Sequence, residues 1–198
     1  MRSPTDLRNM DGFSSRGGWI EVITGGMFSG KSEELIRRIR RAEIAGQRPQ
    51  IFKLVMDERV QAKRVTSRNH MEIDAIIVNS SSELRANIMA GVKVVGIDEV
   101  QFFGDDIVAL CMELADGGVR VIVAGLDQDY LRRPFGPMST LLALAEDVSK
   151  LHAVCVGCGA PAQYTQRVGG GDALIEIRDE IYEARCRACY EPHCASSR

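Results

Sequence analysis

Apolar and polar positions alternate in blocks up to about residue 154, and these blocks predict strands and helices in turn. Short apolar runs predict strands at 19–24, 50–56, 72–78, 92–97 and 119–125. Apolar residues near helical spacing predict helices at 33–45, from residue 80 onward and at 105–116. The polar stretch 57–71 has no clear period and is predicted to be a loop. Strands that alternate with helices predict an α/β fold, in which helices flank a mainly parallel sheet.

The pattern changes near residue 155, where two Cys-x₂-Cys pairs enclose 27 residues that include a triple glycine and a predicted strand at 173–177. The pairs are Cys155 with Cys158 and Cys186 with Cys189. Each pair has the spacing of half a tetrahedral zinc site, and four thiolates fill every coordination position, which favours structural over catalytic zinc. An alternative is that His193 or Cys194 replaces Cys189 as the fourth ligand.

Composition favours a globular protein of the cytoplasm. The chain has 198 residues, 45% of them hydrophobic, and a net charge of −2, with a pI of about 6.0. This balance does not favour a protein that coats nucleic acid. No apolar run approaches the roughly 20 residues that span a bilayer, and the polar N-terminus lacks a secretion signal. We therefore expect no membrane or nucleic-acid partner, reduced cysteines, and a Cys111 that is buried in its helix.

The loop after the first predicted strand matches a phosphate-binding pattern. Its sequence, Gly25-Gly26-Met27-Phe28-Ser29-Gly30-Lys31-Ser32, fits G-x-x-x-x-G-K-[ST] at every fixed position. A loop between a strand and a helix directs backbone N–H groups and the positive helix end at one point, which suits a polyphosphate. Lys31 is expected to reach the β- and γ-phosphates, and the Ser32 hydroxyl to bind Mg²⁺. The strand–loop–helix context disfavours the alternative of a chance match in a Gly-rich turn.

The predicted strand at 92–97 is followed by two carboxylates, Asp98 and Glu99. In phosphate-loop enzymes an acid at this point supports the magnesium ion, and we predict that role for Asp98. Glu99 is a candidate general base for the attacking nucleophile, which is water in an NTPase and a substrate hydroxyl in a kinase. The alternative for Glu99 is a carboxylate in an ion pair. Phe102 or Phe103 belongs either to the core or to a surface that stacks on a flat substrate ring.

Arginines occur in two groups whose roles differ. Arg132 and Arg133 follow the strand at 119–125, at the edge of the sheet where open α/β folds bind ligands. They either contact phosphates or lie on the surface. Four arginines of the first helix are predicted to form a solvated face rather than a contact with nucleotide or a partner. They are Arg37, Arg38, Arg40 and Arg41.

Together these motifs resemble the type II thymidine kinase family, whose members contain a phosphate loop and zinc. The resemblance covers about residues 18–190 and includes Tyr182, four residues before the third cysteine. Besides the phosphate loop and the cysteine pairs, it rests on Asp98-Glu99-Val100-Gln101-Phe102-Phe103, Gly125-Leu126-Asp127 and Arg133-Pro134-Phe135-Gly136. It implies a mainly parallel P-loop NTPase-type sheet flanked by helices, with a small zinc-ribbon domain whose lasso loop covers the substrate base.

The resemblance also implies an activity, the transfer of the ATP γ-phosphate to the 5′-hydroxyl of thymidine, with deoxyuridine as an additional acceptor. Glu99 matches the general base. ATP and phosphate contacts are implied for Gly25 to Ser32, Arg59, Asp98 and Gln101, with Ser32 and Asp98 on the magnesium side. Substrate contacts are implied for Met27, Asp57, Phe103, Leu126, Tyr130, Thr165, Ala173, Ile175 and Tyr182. The family further implies a homotetramer, feedback inhibition by thymidine triphosphate, and nucleotide salvage.

These features divide the chain into four predicted parts. Residues 1–17 form a disordered tail, and residues 18–152 form the P-loop nucleotide-binding domain. Residues 153–192 form the zinc-binding lasso domain, and residues 193–198 form a C-terminal tail. One departure from the family falls in the lasso: residues 175–181 contain no glycine, although members often have one there. The lasso is therefore expected to follow a different path. Gly25-Gly26 replaces the common Gly-Pro, a change expected to be mild.

Two other functions compete with the kinase. One is an NTPase motor or repair factor whose zinc unit grips nucleic acid, and the near-neutral charge offers it no obvious basic groove. The other is a regulatory nucleotide-binding protein without turnover. Intact Lys31, Ser32, Asp98 and Glu99 argue against that reading.

Overall fold

A six-stranded sheet forms the centre of the computed structural model, which describes residues 17–55, 64–66, 72–169 and 179–191. Its strands are β1 (Trp19–Thr24), β2 (Pro49–Leu54), β5 (Ile76–Val78), β6 (Val94–Asp98), β7 (Arg120–Gly125) and β8 (Asp147–Lys150). They lie in the order β5-β2-β6-β7-β1-β8, and every neighbouring pair is parallel. The predicted mainly parallel α/β fold is confirmed. All six carboxyl ends therefore meet at one edge, where open α/β sheets bind ligands.

In the part of the chain that the structure describes, four helices connect these strands: α1 (Lys31–Ile44), α2 (Ser81–Asn87), α3 (Asp106–Asp116) and α4 (Met138–Leu144). The start of α2 is fixed by side chains, because Ser80 Oγ accepts a hydrogen bond from the Glu83 N–H, while the Glu83 carboxylate accepts one from the Asn79 N–H. Single 3₁₀ turns occur at Val100–Phe102 and Asp179–Ile181. Within the described ranges, no helix combines the length and apolar character that membrane crossing requires.

Alternate residues of the central strands pack on opposite faces of the sheet. In β7, Val121 and Val123 belong to the larger core cluster, which includes α2, α3 and α4 residues. Ile122 and Ala124 face the second cluster, which is filled by Leu35, Ile36, Ile39 and Ala42 of α1. Cys111 is fully buried in the larger cluster, as predicted, and burial raises the pKa of its thiol to about 12.

Among the described residues, six short strands lie outside the central sheet and form antiparallel pairs. The strand β3 (Arg64–Thr66) pairs with β4 (Glu72–Asp74). In the cysteine-rich part, β9 (Ala153–Val154) pairs with β10 (Pro161–Ala162), and β11 (Tyr164–Arg167) pairs with β12 (Tyr182–Arg185). These last two ribbons pack around a small cluster that includes Ala153, Ala162 and Ala184.

The structure corrects several local predictions. The stretch 57–71, predicted to be a loop, contains β3. The strand predicted at 72–78 is two strands separated at Ala75, because β4 pairs antiparallel with β3 whereas β5 joins the central sheet beside β2. The helix α4 and the edge strand β8 were not predicted. Polar residues dominate β8, since only one neighbour, β1, covers its edge.

The prediction of a solvated arginine face is wrong for Arg38. Its side chain is only 11% exposed and its guanidinium forms ion pairs with Glu21, Glu34 and Asp147. Glu21, on β1, is itself buried and also accepts hydrogen bonds from Arg120 and from the indole of Trp19. Burial opposes ionisation of Glu21, but the hydrogen bonds and charge of Arg120, together with hydrogen bonds from Arg38 and Trp19, outweigh it and lower the pKa.

Replacing Glu21 by glutamine is expected to destabilise the fold by about 3 kcal/mol at pH 7, because Arg38 and Arg120 lose a buried counter-charge. Since folding lowers the pKa of Glu21, its contribution is complete above about pH 4.5 and is lost as the pH falls below that value. Urea unfolding at pH 7 and pH 3.5 tests both points. The exposed control Glu43→Gln should change stability by less than about 0.5 kcal/mol. A Glu21→Gln effect of that small size would contradict the prediction.

Candidate active site and metal centre

The predicted phosphate loop connects β1 to α1 at the carboxyl edge of the sheet. Gly25 has a φ of +139°, and a Cβ there would lie 2.2 Å from the carbonyl oxygen of Leu151, so only glycine fits. The carbonyl oxygen of Gly26 accepts hydrogen bonds from Ser29 Oγ and Lys31 Nζ, each at 2.8 Å. The loop thus holds the Lys31 ammonium beside the N-terminus of α1, an arrangement that suits an anion.

Asp98 ends β6 at the same edge and is 4% exposed. Burial, followed by the charge of the adjacent Glu99, raises the pKa of Asp98 above its usual range. The charges of Lys53 and Lys31 act on Asp98 in the opposite direction. Lys53 is its register partner on β2. The carboxylate pair and the phosphate-loop lysine therefore lie close enough to interact.

Glu99 has an unusual backbone conformation. Its φ of +54° and ψ of +39° fall in the left-handed region, which is strained for a residue with a side chain. Strain of about 1–3 kcal/mol persists only where the surrounding structure holds it in place, and such positions cluster at functional sites. Its carboxylate accepts a 2.6 Å hydrogen bond from the amide of Gln101, which is 2% exposed.

The segment after β7 lies beside these carboxylates. Leu126 is half-buried, and its N–H donates a hydrogen bond to Gln101 Oε1. Phe103 is 5% exposed within the larger core cluster, while Phe102 packs edge-on against Phe135 with ring centres 5.4 Å apart. Asp127, directly after Leu126, forms a 2.7 Å ion pair with Lys150 at the end of β8. With the phosphate loop after β1 and Lys53 near the end of β2, five strands therefore contribute polar groups to one edge of the sheet.

The four predicted cysteine ligands converge. Their sulfur atoms all lie within 4.8 Å of one another, and none forms a disulfide. The sulfurs of Cys158 and Cys186 are 3.6 Å apart. A tetrahedral zinc with Zn–S bonds of about 2.3 Å places its sulfurs about 3.8 Å apart, so these residues fit that ion. Cys189 belongs to this group, as the spacing of the cysteine pairs predicts.

Electrostatics within the cysteine group also fit a cation. Main-chain N–H groups, first that of Cys186, lower the pKa of the Cys155 thiol to about 6. Hydrogen bonds to the other sulfurs, first that of Cys158, raise the pKa of Cys189 to about 12. Four adjacent thiolates repel one another, so full deprotonation of the group requires a positive ion between them.

The cysteine-rich part, residues 153–169 and 179–191, is called the zinc unit below and contacts the phosphate loop directly. The N–H of Met27 donates a 3.0 Å hydrogen bond to Thr165 Oγ1 on β11, although the two residues are 138 positions apart. Phe28, in the left-handed region with a φ of +68°, packs against the cluster that contains Cys155 and Cys186. The predicted nucleotide site and the predicted zinc site therefore share packing and hydrogen bonds.

Tyr130 and Tyr182, two predicted substrate residues, both contact the side chain of Arg167. The guanidinium of Arg167, itself 4% exposed, lies 5.0 Å from the ring centre of Tyr130 and 5.9 Å from that of Tyr182. Arg132 is an exposed arginine whose guanidinium lies over Tyr190 at 4.6 Å and over Tyr164 at 5.6 Å. These contacts join the segment after β7 to the zinc unit.

Several predicted site residues lie outside the described ranges. They are Asp57, Arg59, Ala173 and Ile175, together with the alternative zinc ligands His193 and Cys194. The strand predicted at 173–177 lies there as well.

Comparison with known proteins settles the family. The family model described as thymidine kinase matches residues 18–190. The chain belongs to the thymidine kinase family. A thymidine kinase of Bdellovibrio bacteriovorus is 51% identical over 176 residues, which are 88% of this chain and 86% of that protein. A thymidine kinase of a Rhodothermus species is 48% identical over 176 residues, 88% of this chain and 82% of that protein. The resemblance inferred from the motifs is confirmed.

Among solved structures, the cytoplasmic domain of the Thermomonospora curvata Type VII secretion ATPase EccC matches with a TM-score of 0.42 and 15% identity. The match covers 69% of this chain and 19% of that chain. It is too slight to bear on the function of this thymidine kinase family member.

Sequence reasoning missed two lysines and one aromatic contact in this thymidine kinase family member. Lys53 is the penultimate residue of β2 and Lys150 ends β8, and the parallel order of the sheet brings both to its carboxyl edge. Lys53 falls in the middle of the strand predicted at 50–56 and Lys150 on a strand that was not predicted, so the predicted strand ends pointed to neither. Phe28 was assigned to phosphate binding by its position in the motif, and its packing on the zinc unit had no local signal.

Replacing Thr165 by valine is expected to weaken ATP binding about fivefold, because the N–H of Met27 loses its acceptor and the phosphate loop loses a restraint. Titration calorimetry with a non-hydrolysable ATP analogue measures the change. The exposed Thr140 of α4 provides the control, since Thr140→Val leaves the loop untouched. Equal affinities for Thr165→Val and wild type would contradict a positioning role for this hydrogen bond.

Proposed function

We propose that this chain transfers the γ-phosphate of ATP to the 5′-hydroxyl of thymidine and releases thymidine monophosphate and ADP. The observation that carries the proposal is the meeting, at one sheet edge, of a complete phosphate loop and a carboxylate pair. Lys31 begins α1 after the loop that follows β1, Asp98 ends β6 at the same carboxyl edge, and Glu99 follows Asp98 in a strained conformation. Membership of the thymidine kinase family supports thymidine as the acceptor.

In this proposal the phosphate-loop backbone from Gly25 to Ser32 binds the triphosphate, and Lys31 neutralises charge on the transferred phosphate. Glu99 accepts the proton of the thymidine 5′-hydroxyl while the hydroxyl oxygen attacks the γ-phosphorus and ADP leaves. Arg59 and Gln101 complete the predicted phosphate-side residues. Thymidine is held by the residues that the family resemblance implies: Met27, Asp57, Phe103, Leu126, Tyr130, Thr165, Ala173, Ile175 and Tyr182.

Two metal ions belong to the proposal. Ser32 and Asp98 would hold the magnesium ion that accompanies ATP, and a dication there favours the ionised form of the buried Asp98. Cys155, Cys158, Cys186 and Cys189 would hold a structural zinc, a reading supported by the convergence of their sulfurs. The zinc supplies no chemistry in this scheme, because its four ligands leave no open position.

The remaining features of the proposal follow the family. The chain acts as a cytoplasmic homotetramer in pyrimidine deoxynucleotide salvage, and thymidine triphosphate inhibits it. The α/β domain spans 18–152 and the lasso domain 153–192, with tails at either end. A lasso that closes over the acceptor excludes water from the γ-phosphate and so suppresses wasteful hydrolysis.

The test is Mg-ATP-dependent phosphorylation of thymidine, deoxyuridine, deoxycytidine, deoxyadenosine and deoxyguanosine, with controls that lack nucleoside or contain DNA. We expect thymidine monophosphate, a lower yield from deoxyuridine, and little hydrolysis without an acceptor. ATP hydrolysis that is indifferent to every nucleoside would overturn the proposal in favour of an NTPase. Stimulation of that hydrolysis by DNA would identify a nucleic-acid motor.

A further inference from the structure

The buried amide of Gln101 bridges two elements of the site. Its Nε2 donates a 2.6 Å hydrogen bond to Glu99 Oε2, and its Oε1 accepts a 3.0 Å hydrogen bond from the N–H of Leu126. The side chain is 2% exposed and stands in the 3₁₀ turn that directly follows Glu99. The amide therefore connects the end of β6 to the first residue after β7.

The orientation of this amide is fixed by its partners. A main-chain N–H can only donate, so it requires the amide oxygen, and an ionised carboxylate can only accept, so it requires the amide nitrogen. A flipped amide would lose both hydrogen bonds at once. Gln101 thus presents a permanent donor to Glu99.

Two glycines pack closely against Gln101. A Cβ at Gly125 would lie 2.6 Å from Gln101 Oε1, and a Cβ at Gly136 would lie 2.2 Å from the Gln101 carbonyl oxygen. Glycines at both positions let β7 and the segment at 136 approach Gln101 closely. These close approaches and the strained backbone of Glu99 restrict the conformation of the chain around one carboxylate, that of Glu99.

We propose that Gln101 is a positioning residue, whose amide holds the Glu99 carboxylate in the orientation that receives the proton of the acceptor hydroxyl. This inference rests on the proposed kinase function and differs from the phosphate contact that the family resemblance implies for Gln101. A glutamate side chain has three rotatable bonds, and half-burial leaves Glu99 room to turn. Because orientation matters in the transition state and not in ground-state binding, the effect falls on kcat rather than on KM.

The test compares Gln101→Met, which keeps the approximate volume and removes both hydrogen bonds, in the wild-type and Glu99→Gln backgrounds. In the wild-type background we expect kcat for thymidine monophosphate formation to fall about tenfold, with KM for ATP and thymidine within about twofold. In the Glu99→Gln background we expect no further fall, because the group that Gln101 positions no longer accepts a proton. Thermal unfolding verifies that each variant is folded. If Gln101→Met does not fold, Gln101→Asn takes its place, because its side chain is shorter by one methylene and withdraws the amide from Glu99.

Three results would overturn the role of Gln101: an unchanged kcat, an equal loss in both backgrounds, or a raised KM for ATP at constant kcat. A raised KM for ATP would indicate that Gln101 binds phosphate, and an equal loss of kcat in both backgrounds would indicate a structural role. Failure of the proposed function is distinct, because the wild-type protein would then make no thymidine monophosphate.

Discussion

The Glu99→Gln variant is expected to lose turnover by about 10²-fold or more while it still binds ATP and thymidine. Glutamine has nearly the same shape as glutamate, and its amide oxygen can still accept the hydrogen bond from Gln101, so the pocket is preserved. What the variant lacks is a group that can take the proton of the 5′-hydroxyl. The expected loss corresponds to about 3 kcal/mol of transition-state stabilisation.

The substitution also removes a negative charge beside Asp98. The charge of Glu99 is, after burial, the main reason that the pKa of Asp98 is raised, so that pKa should fall towards its usual range in the variant. An ionised Asp98 favours a magnesium ion, which offsets the loss of the Glu99 charge, so we expect ATP binding to persist in the variant. A direct measurement of ATP affinity separates a loss of turnover from a loss of nucleotide.

Single-turnover formation of thymidine monophosphate measures the rate, and calorimetry with thymidine and an ATP analogue measures binding. The exposed Glu43→Gln variant on α1 changes the net charge equally and should retain wild-type turnover. A near-normal rate for Glu99→Gln would remove Glu99 from the role of general base. A loss of thymidine affinity equal to the loss of rate would instead make Glu99 a substrate-binding residue.

Local patterns predicted the parts of this protein that depend on residues close together in sequence. The phosphate loop is a fixed spacing between a strand and a helix, and Asp98 with Glu99 is a carboxylate pair after an apolar run. The cysteine pairs have the spacing that tetrahedral metal coordination requires. The alternation of strands and helices then predicts a parallel sheet, because a helix between two strands returns the chain to the same end of the sheet and covers one of its faces.

Features that depend on distant partners were missed. The burial of Arg38 requires Glu21 and Asp147, which lie 17 and 109 positions away, and no local pattern distinguishes it from its exposed neighbour Arg37. The same holds for the hydrogen bond from Met27 to Thr165. At 72–78, one apolar pattern covers two strands because hydropathy does not reveal which partner each half will take.

Removal of the metal is expected to weaken ATP binding strongly and to abolish thymidine phosphorylation, although the cysteines lie outside the phosphate loop. The zinc unit has a core of small side chains, chiefly Ala153, Ala162 and Ala184, which buries too little apolar surface to fold alone. Structural zinc contributes about 10–16 kcal/mol in comparable small metal-binding peptides, so its loss should unfold the unit. Phe28 would then lose its packing partners, and Met27 its acceptor on Thr165.

The Cys186→Ser variant and chelator-treated wild type test this coupling. We expect one zinc per chain in the wild type. In both metal-poor samples we expect the zinc unit to unfold and the affinity for an ATP analogue to fall at least tenfold. Cys111→Ala, which removes a buried thiol that belongs to the larger core cluster and not to the cysteine group, should retain the zinc and the affinity. Purified protein that contains no zinc yet phosphorylates thymidine would defeat the zinc assignment. Full ATP affinity in a zinc-free chain would instead show that the phosphate loop holds its conformation without the contacts from Thr165 and from the cysteine cluster.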